Sequence, residues 1–148
     1  MRIVFVCHGN ICRSPMAEFV MKELVRKSGR EKEFQISSRA AHRDEIGSDA
    51  HPNTRRVLQS RGIPFSPRRA TLLTAADADK YDLFIGMDAY NIRDMRRILG
   101  AGAEGKIHPL LSYIGETRDV ADPWYTGDYE TTYRDVAAGC AALLESLR

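Results

Sequence analysis

Ile3-Val4-Phe5-Val6-Cys7-His8-Gly9-Asn10-Ile11-Cys12-Arg13-Ser14-Pro15-Met16 runs from an apolar stretch, through a polar loop, into a segment that opens with Ser-Pro. Residues 3–6 are apolar without alternation and rich in β-branched side chains. That is the composition of a strand buried on both faces, as in a parallel sheet. Ser14-Pro15 offers an N-cap followed by Pro at the first helical position. Met16, Ala17, Val20, Met21, Leu24 and Val25 then recur at spacings of three and four, which predicts a helix stopping near Ser28-Gly29. Strand, tight loop and helix open a βαβ unit.

The rest of the chain continues the alternation. Phe34–Ser38 is a short alternating strand. Thr54–Arg61 is helical and closes at Gly62, and Ile63–Pro67 is too proline-rich for regular structure. Asp77–Lys80 predicts a short helix, and Asp82–Met87 a second buried strand. Asp88 caps a helix reaching Leu99. Ile107–Leu110 is a weaker strand, and Thr117–Gly127 is a loop without a period. Asp128–Leu147 is the final amphipathic helix, with Tyr133, Val136, Ala137, Cys140, Leu143, Leu144 and Leu147 on or near one face. The order βαβαβαβα predicts an α/β fold, a doubly wound sheet with helices on both faces, in one domain covering residues 1–148. The long Thr117–Gly127 segment is a candidate functional loop.

Bulk properties exclude several classes. The 148 residues are 43% hydrophobic, enough for one core without disulfides or a structural metal. A net charge of +2 gives no bulk field for nucleic acid. Cys7, Cys12 and Cys140 are too few and too odd in number for a secreted disulfide framework, and they show no metal-ligand spacing. No apolar run approaches the roughly 20 residues of a membrane span, and Arg2–Val6 is too short for a signal-peptide core. A reducing cytoplasm is the expected compartment.

Ligands of an open parallel sheet bind beyond the carboxyl ends of its strands, and Cys7 stands at such an end. Between Cys7 and Ser14 the chain must turn into a helix N-terminus, where Gly9 and Asn10 tolerate unusual dihedrals. The amides of His8, Gly9, Asn10, Ile11, Cys12 and Arg13, with the helix dipole, then make an anion site. Arg13 adds a planar fork that grips two phosphate oxygens. A free thiol is only a few per cent ionised at neutral pH. The amides, the helix terminus and Arg13 all favour the thiolate, so Cys7 is expected to be a nucleophile. A plain core cysteine would leave Gly9, Asn10 and Arg13 without a role. Cys140, on an apolar helical face, reads as core.

Expelling a phenolate from an aryl phosphate benefits from a proton donor. Asp122, in Ala121-Asp122-Pro123-Trp124-Tyr125-Thr126-Gly127, is the best candidate. Pro123 stiffens the chain after the carboxyl. Trp124 and Tyr125 supply apolar walls that can stack on an aromatic ring. An ordinary Asp-Pro surface turn is the competing reading, and spacing alone does not place Asp122 near Cys7.

The phosphate loop Val6–Pro15, the segment Gly86-Met87-Asp88-Ala89-Tyr90-Asn91 and the acid loop Asp119–Tyr125 together resemble the low-molecular-weight protein tyrosine phosphatase family over essentially the whole chain. The resemblance implies an open, Rossmann-like, four-stranded parallel sheet flanked by helices. It implies that Cys7 forms a phosphocysteine, that Arg13 and the loop amides hold the phosphoryl group, and that Asp122 serves as acid and then base. Ser14 would hydrogen-bond the Cys7 thiolate, Asn10 with Ser38 would hold the loop's shape, and Trp124 would line the pocket. A reversible Cys7–Cys12 disulfide is implied too. No metal or cofactor is implied, and the partner is a phosphorylated protein, with no nucleic acid or membrane. The protein is expected to be a monomer, with a weak dimer as the alternative.

Two departures from the family pattern stand out. Where family members often carry an aromatic residue on the opposite pocket wall, this chain has Asp44, flanked by Arg43 and Glu45. The pocket is therefore expected to have one aromatic and one acidic wall. The family's loop-supporting His should fall within Ser66–Ala70, and Arg68 is the nearest equivalent. The protein arginine phosphatases share the loop but usually carry Thr in place of Ile11. Ile11, crowding the pocket floor, favours a flat phenyl ring and hence phosphotyrosine. Thioredoxin-coupled arsenate reductases need two mid-chain cysteines that are absent here. A phosphate-binding module without turnover is disfavoured by the intact Cys7, Arg13 and Asp122, and a dinucleotide site by the lack of G-x-G-x-x-G.

Overall fold

The computed structural model describes residues 1–148. The elements are β1 (Arg2–Cys7), α1 (Arg13–Lys27), β2 (Gln35–Ala40), α2 (Pro52–Ser60), β3 (Leu83–Gly86), α3 (Ala89–Leu99), β4 (Ile107–Pro109), the single turn α4 (Pro123–Thr126) and α5 (Tyr129–Ser146). The strands form one sheet in the order β2-β1-β3-β4, every pair parallel. This is the expected α/β architecture.

The unalternating apolar run of β1 is explained by its position. Ile3, Phe5 and Cys7 join a core with residues of α1, α2 and α5 on one face of the sheet. Val4 and Val6 join a second core with Phe84, Ile92, Met95 and Leu99, built on α3, on the other. Residues 3–6 are fully buried, and burying each such side chain is worth about 1.5–3 kcal/mol. β3 sits close under α3 because Gly86 carries no side chain. A Cβ there would lie 2.8 Å from Met95 Cε and 2.9 Å from Ile92 Cδ1.

Several boundaries differ from the sequence expectation. His51 caps α2, its ring nitrogen accepting from Asn53 N, so that helix begins at Pro52, before Thr54. Asp88 caps α3 as expected, with Asn91 returning the bond in a capping box. The segment Thr117–Gly127 is not all loop: Asp122-Pro123 starts α4, which the left-handed Gly127 ends. Short 3₁₀ turns at 31–33, 75–79, 101–106 and 110–114 fill the connections, and only the second was legible, near Asp77.

With β1 central, the chain leaves it toward β2 and returns past it to β3. The crevice beyond the ends of β1 and β3 lies where the strand order reverses. Cys7 ends β1 and Asp88 follows β3, so both face this opening.

Candidate active site

The loop from Cys7 to Arg13 is locked by buried polar side chains. Asn10 takes the left-handed conformation, with φ of 60°, and all four of its amide bonds are made. Nδ2 donates to Ser14 Oγ at 2.8 Å and Ser38 Oγ at 2.9 Å. Oδ1 accepts from Thr71 N at 3.1 Å and from the Arg68 guanidinium. Ser38 in turn donates to Glu18 at 2.6 Å. Gly9 does not take a positive φ, so the expected dihedral freedom is used by Asn10 alone.

Ser14 is not the helix cap. α1 begins at Arg13, with Cys12 in the cap position and no side-chain cap bond. Ser14 Oγ lies 3.0 Å from Cys7 Sγ, and Ser14 N donates to the same sulfur at 3.4 Å. Because Ser14 Oγ already accepts from Asn10, its proton is free for the sulfur. The loop needs this hydroxyl more than the helix end does. Pro15 falls among the first turn's residues, whose N–H groups have no helical partner, so it costs nothing there.

Arg13 is almost fully buried and gathers the distant parts. Its Nη1 donates to Asp88 Oδ2 at 2.8 Å and to Val120 O at 2.9 Å, and its Nη2 to Asp122 Oδ2 at 3.4 Å. Burial opposes the Arg13 charge, but Cys7, Asp88 and Asp122 outweigh it and raise its pKa above the ordinary guanidinium value. The acid loop is pinned to the β3 end: Val120 N donates to Met87 O at 2.9 Å, and Asp119 Oδ1 accepts from Ala89 N at 3.0 Å. Asp122 makes the Asp-Pro turn and also lies beside Arg13. Oδ1 caps α4, accepting from Trp124 N at 3.0 Å, while Oδ2 reaches Arg13.

A cavity of about 460 Å³ joins these groups, lined by Cys7, Ile11, Arg13, Asp122, Trp124 and Tyr125 among others. Asp44 also lines it but is not a free acidic wall. His8 Nε2 lies 2.6 Å from Asp44 Oδ2, and this bond holds the Asp44 carboxyl below its usual pKa. The His8 ring stacks on His42 at 4.2 Å between centroids, and His42 bonds Asp94 at 2.8 Å. So the second wall is an imidazole held by a carboxylate. The sequence reading valued only the amide of His8, and no local pattern marks its pairing with His42. Asp88 was read as a helix cap alone, and its bond to Arg13 has no sequence signal either.

Cys12 lies on the buried side of the loop, 3.6 Å from the Tyr129 hydroxyl. Burial raises its pKa to about 11, against the lowering effect of that hydroxyl. Cys7 and Cys12 are both free thiols here. No group of three or more His, Cys, Asp or Glu side chains is placed to hold a metal ion.

A family model described as low molecular weight phosphotyrosine protein phosphatase matches residues 2–148. The low molecular weight protein-tyrosine-phosphatase YfkJ of Bacillus subtilis is 37% identical over 99% of this chain and 95% of its own length. Its crystal structure superposes with a TM-score of 0.95, over 99% of this chain and 94% of that one. The phosphatase PtpA of Staphylococcus epidermidis is 33% identical over 97% of this chain and 91% of its own. An arginine phosphatase of Drosophila is 25% identical with a TM-score of 0.92, over 100% of this chain and 98% of that chain.

Proposed function

The chain belongs to the low molecular weight phosphotyrosine protein phosphatase family, and from that premise we propose that it hydrolyses phosphotyrosine in proteins through a phosphocysteine on Cys7. The Cys7 thiolate, supported by Ser14, attacks phosphorus. The S–P bond forms as the P–O bond to the phenol breaks, and Asp122 gives its proton to the leaving oxygen. Water then attacks the phosphocysteine and Asp122 takes its proton, releasing phosphate and restoring the thiolate. Arg13 and the amides of residues 8–13 hold the equatorial oxygens throughout, as phosphoryl transfer requires. Ile11, Trp124 and Tyr125, with the Asp44–His8 pair, surround the phenyl ring. Cys12 is the resolving thiol that captures an oxidised Cys7.

The observation that carries this reading is the contact of Asp122 Oδ2 with Arg13 Nη2 at 3.4 Å. It supports a proton donor and a phosphate fork in one pocket with the thiol, which an anion-binding module has no use for. The enzyme acts on phosphorylated protein as a cytoplasmic monomer, without nucleic acid or membrane partners. No helix is long and apolar enough to cross a membrane.

Phosphoarginine is the competing substrate, kept open by the likeness to the Drosophila arginine phosphatase. Side-by-side rates on phosphotyrosine and phosphoarginine peptides, for the parent and Ile11→Thr, separate the two. The parent is expected to favour phosphotyrosine, and Ile11→Thr to narrow that preference. Faster parental turnover of phosphoarginine would overturn the assignment.

A further inference from the structure

Tyr90 is 65% exposed and lines the cavity of Cys7, Arg13 and Asp122. It stands in the first turn of α3, and that turn is rigidly placed. Asp88 and Asn91 close a capping box around it, and Asp88 also accepts from Arg13. The ring therefore keeps a fixed position at the mouth. An aromatic side chain left in water beside a cavity costs the fold apolar burial, and it gains that burial when a ligand covers it.

α3 carries three arginines on its exposed face, and they are not alike. Arg96 pairs with Glu104 at 2.9 Å and Arg97 with Asp94 at 3.3 Å. Arg93 has no carboxylate partner. Its guanidinium lies over the Tyr90 ring, 5.0 Å from the centroid. Stacking uses the face of a guanidinium and leaves its N–H donors free around the edge, aimed in the plane that suits a carboxylate. The acids of the same mouth are already engaged. Asp44 bonds His8, Asp119 has one oxygen on Ala89 N, and Glu45 accepts from Ser48 Oγ at 3.3 Å.

We propose that Tyr90 and Arg93 form a subsite for an acidic residue flanking the phosphotyrosine of the protein substrate. The carboxylate meets the free edge of Arg93, and the flanking chain packs over the ring of Tyr90. This rests on the phosphotyrosine reading given above and adds the sequence context that the enzyme prefers. Arg93 lies one helical turn beyond Tyr90, so the acid sits within a few residues of the phosphotyrosine and not next to the phosphoryl group.

The test compares kcat/KM on phosphotyrosine peptides carrying Asp, Ala or Lys at the three positions before or after the phosphotyrosine. On one side, Asp is expected to be favoured over Ala by about two- to fivefold at low salt. That ratio should shrink as salt rises from about 0.02 M to about 0.5 M. Arg93→Gln should bring the ratio to about one, and Arg93→Glu should invert it in favour of Lys, which a merely structural residue would not do. Tyr90→Phe should keep the parental ratio, and Tyr90→Ala should lower it. Both side chains are exposed, so these variants are expected to fold. A parental ratio near one on both sides, a preference for Lys, or a ratio unchanged in Arg93→Gln would overturn the proposal. Calorimetric Kd values for the same peptides on Cys7→Ser need no turnover. A parent inactive on every phosphomonoester would therefore refute the phosphatase reading, while those Kd ratios still decide the subsite.

Discussion

The phosphate loop and the rim of the same cavity are built on opposite plans. From Cys7 to Ser14, all but His8 and Gly9 are buried, and the Asn10 amide makes every hydrogen bond it can. At the rim, Trp124 is 59% and Tyr125 85% exposed, and neither side chain is held by a hydrogen bond. The buried loop holds a thiol, a guanidinium fork and a row of backbone amides in one fixed arrangement, the kind that preorganised electrostatics uses. The exposed rim side chains contribute little to the fold. Asp122 stands between the plans, with one oxygen spent on α4 and the other turned toward Arg13.

The contrast is broken most severely at Cys7. Cys7→Ser is expected to lower p-nitrophenyl phosphate hydrolysis by about 10⁴-fold or more, because serine in this loop has no comparable anion to attack with. Phosphate should still bind with nearly the parental Kd by calorimetry, since the amides and Arg13 are untouched. Residual activity near the parent would mean that the loop is a cradle and the chemistry lies elsewhere. Asp122→Ala is the next largest effect. Phenyl phosphate turnover should fall about 10²–10⁴-fold, and p-nitrophenyl phosphate, whose leaving group needs no proton, clearly less. Equal losses on the two esters would remove Asp122 as the acid of the first step and leave it a helix cap.

The same division governs what could be read from the sequence. Strand, loop and helix at residues 3–27 were legible because their signals are contiguous: an apolar run, a turn, and then apolar residues at helical spacing. Cys7 and Arg13 lie within that stretch, so both could be singled out from the sequence. Asp122 was recognisable as a residue type. Its placement depends on the bonds from Val120 to Met87 and Arg13 and from Asp119 to Ala89, contacts across a fold that no local pattern encodes. Ser14 was misread as a helix cap because Ser-Pro is a strong local signal, whereas its hydroxyl makes the contact with the Cys7 sulfur that the resemblance implied. The pairing of Asp44 with His8 joins residues 36 positions apart. Asp44 therefore read as an unopposed acid, and the stacked His8–His42 wall was missed. Arg68 was placed by resemblance, and its bond to Asn10 supports that placement.

The smallest effect tests whether the rim selects without stabilising. Trp124 packs edge-on against His51 at 6.2 Å between centroids, and most of its surface faces solvent. Trp124→Ala should leave the melting temperature nearly unchanged, since exposed substitutions are usually within about ±0.5 kcal/mol. Its stacking on a substrate ring is worth about 0.5–1.5 kcal/mol. That corresponds to a rise in KM for a phosphotyrosine peptide of roughly two- to tenfold, with kcat little changed because the interaction is the same in ground and transition states. A small non-aromatic phosphomonoester offers no ring to stack, so its KM should not move. If kcat fell instead, the indole would be holding Asp122 through α4, and the rim would belong to the chemistry after all.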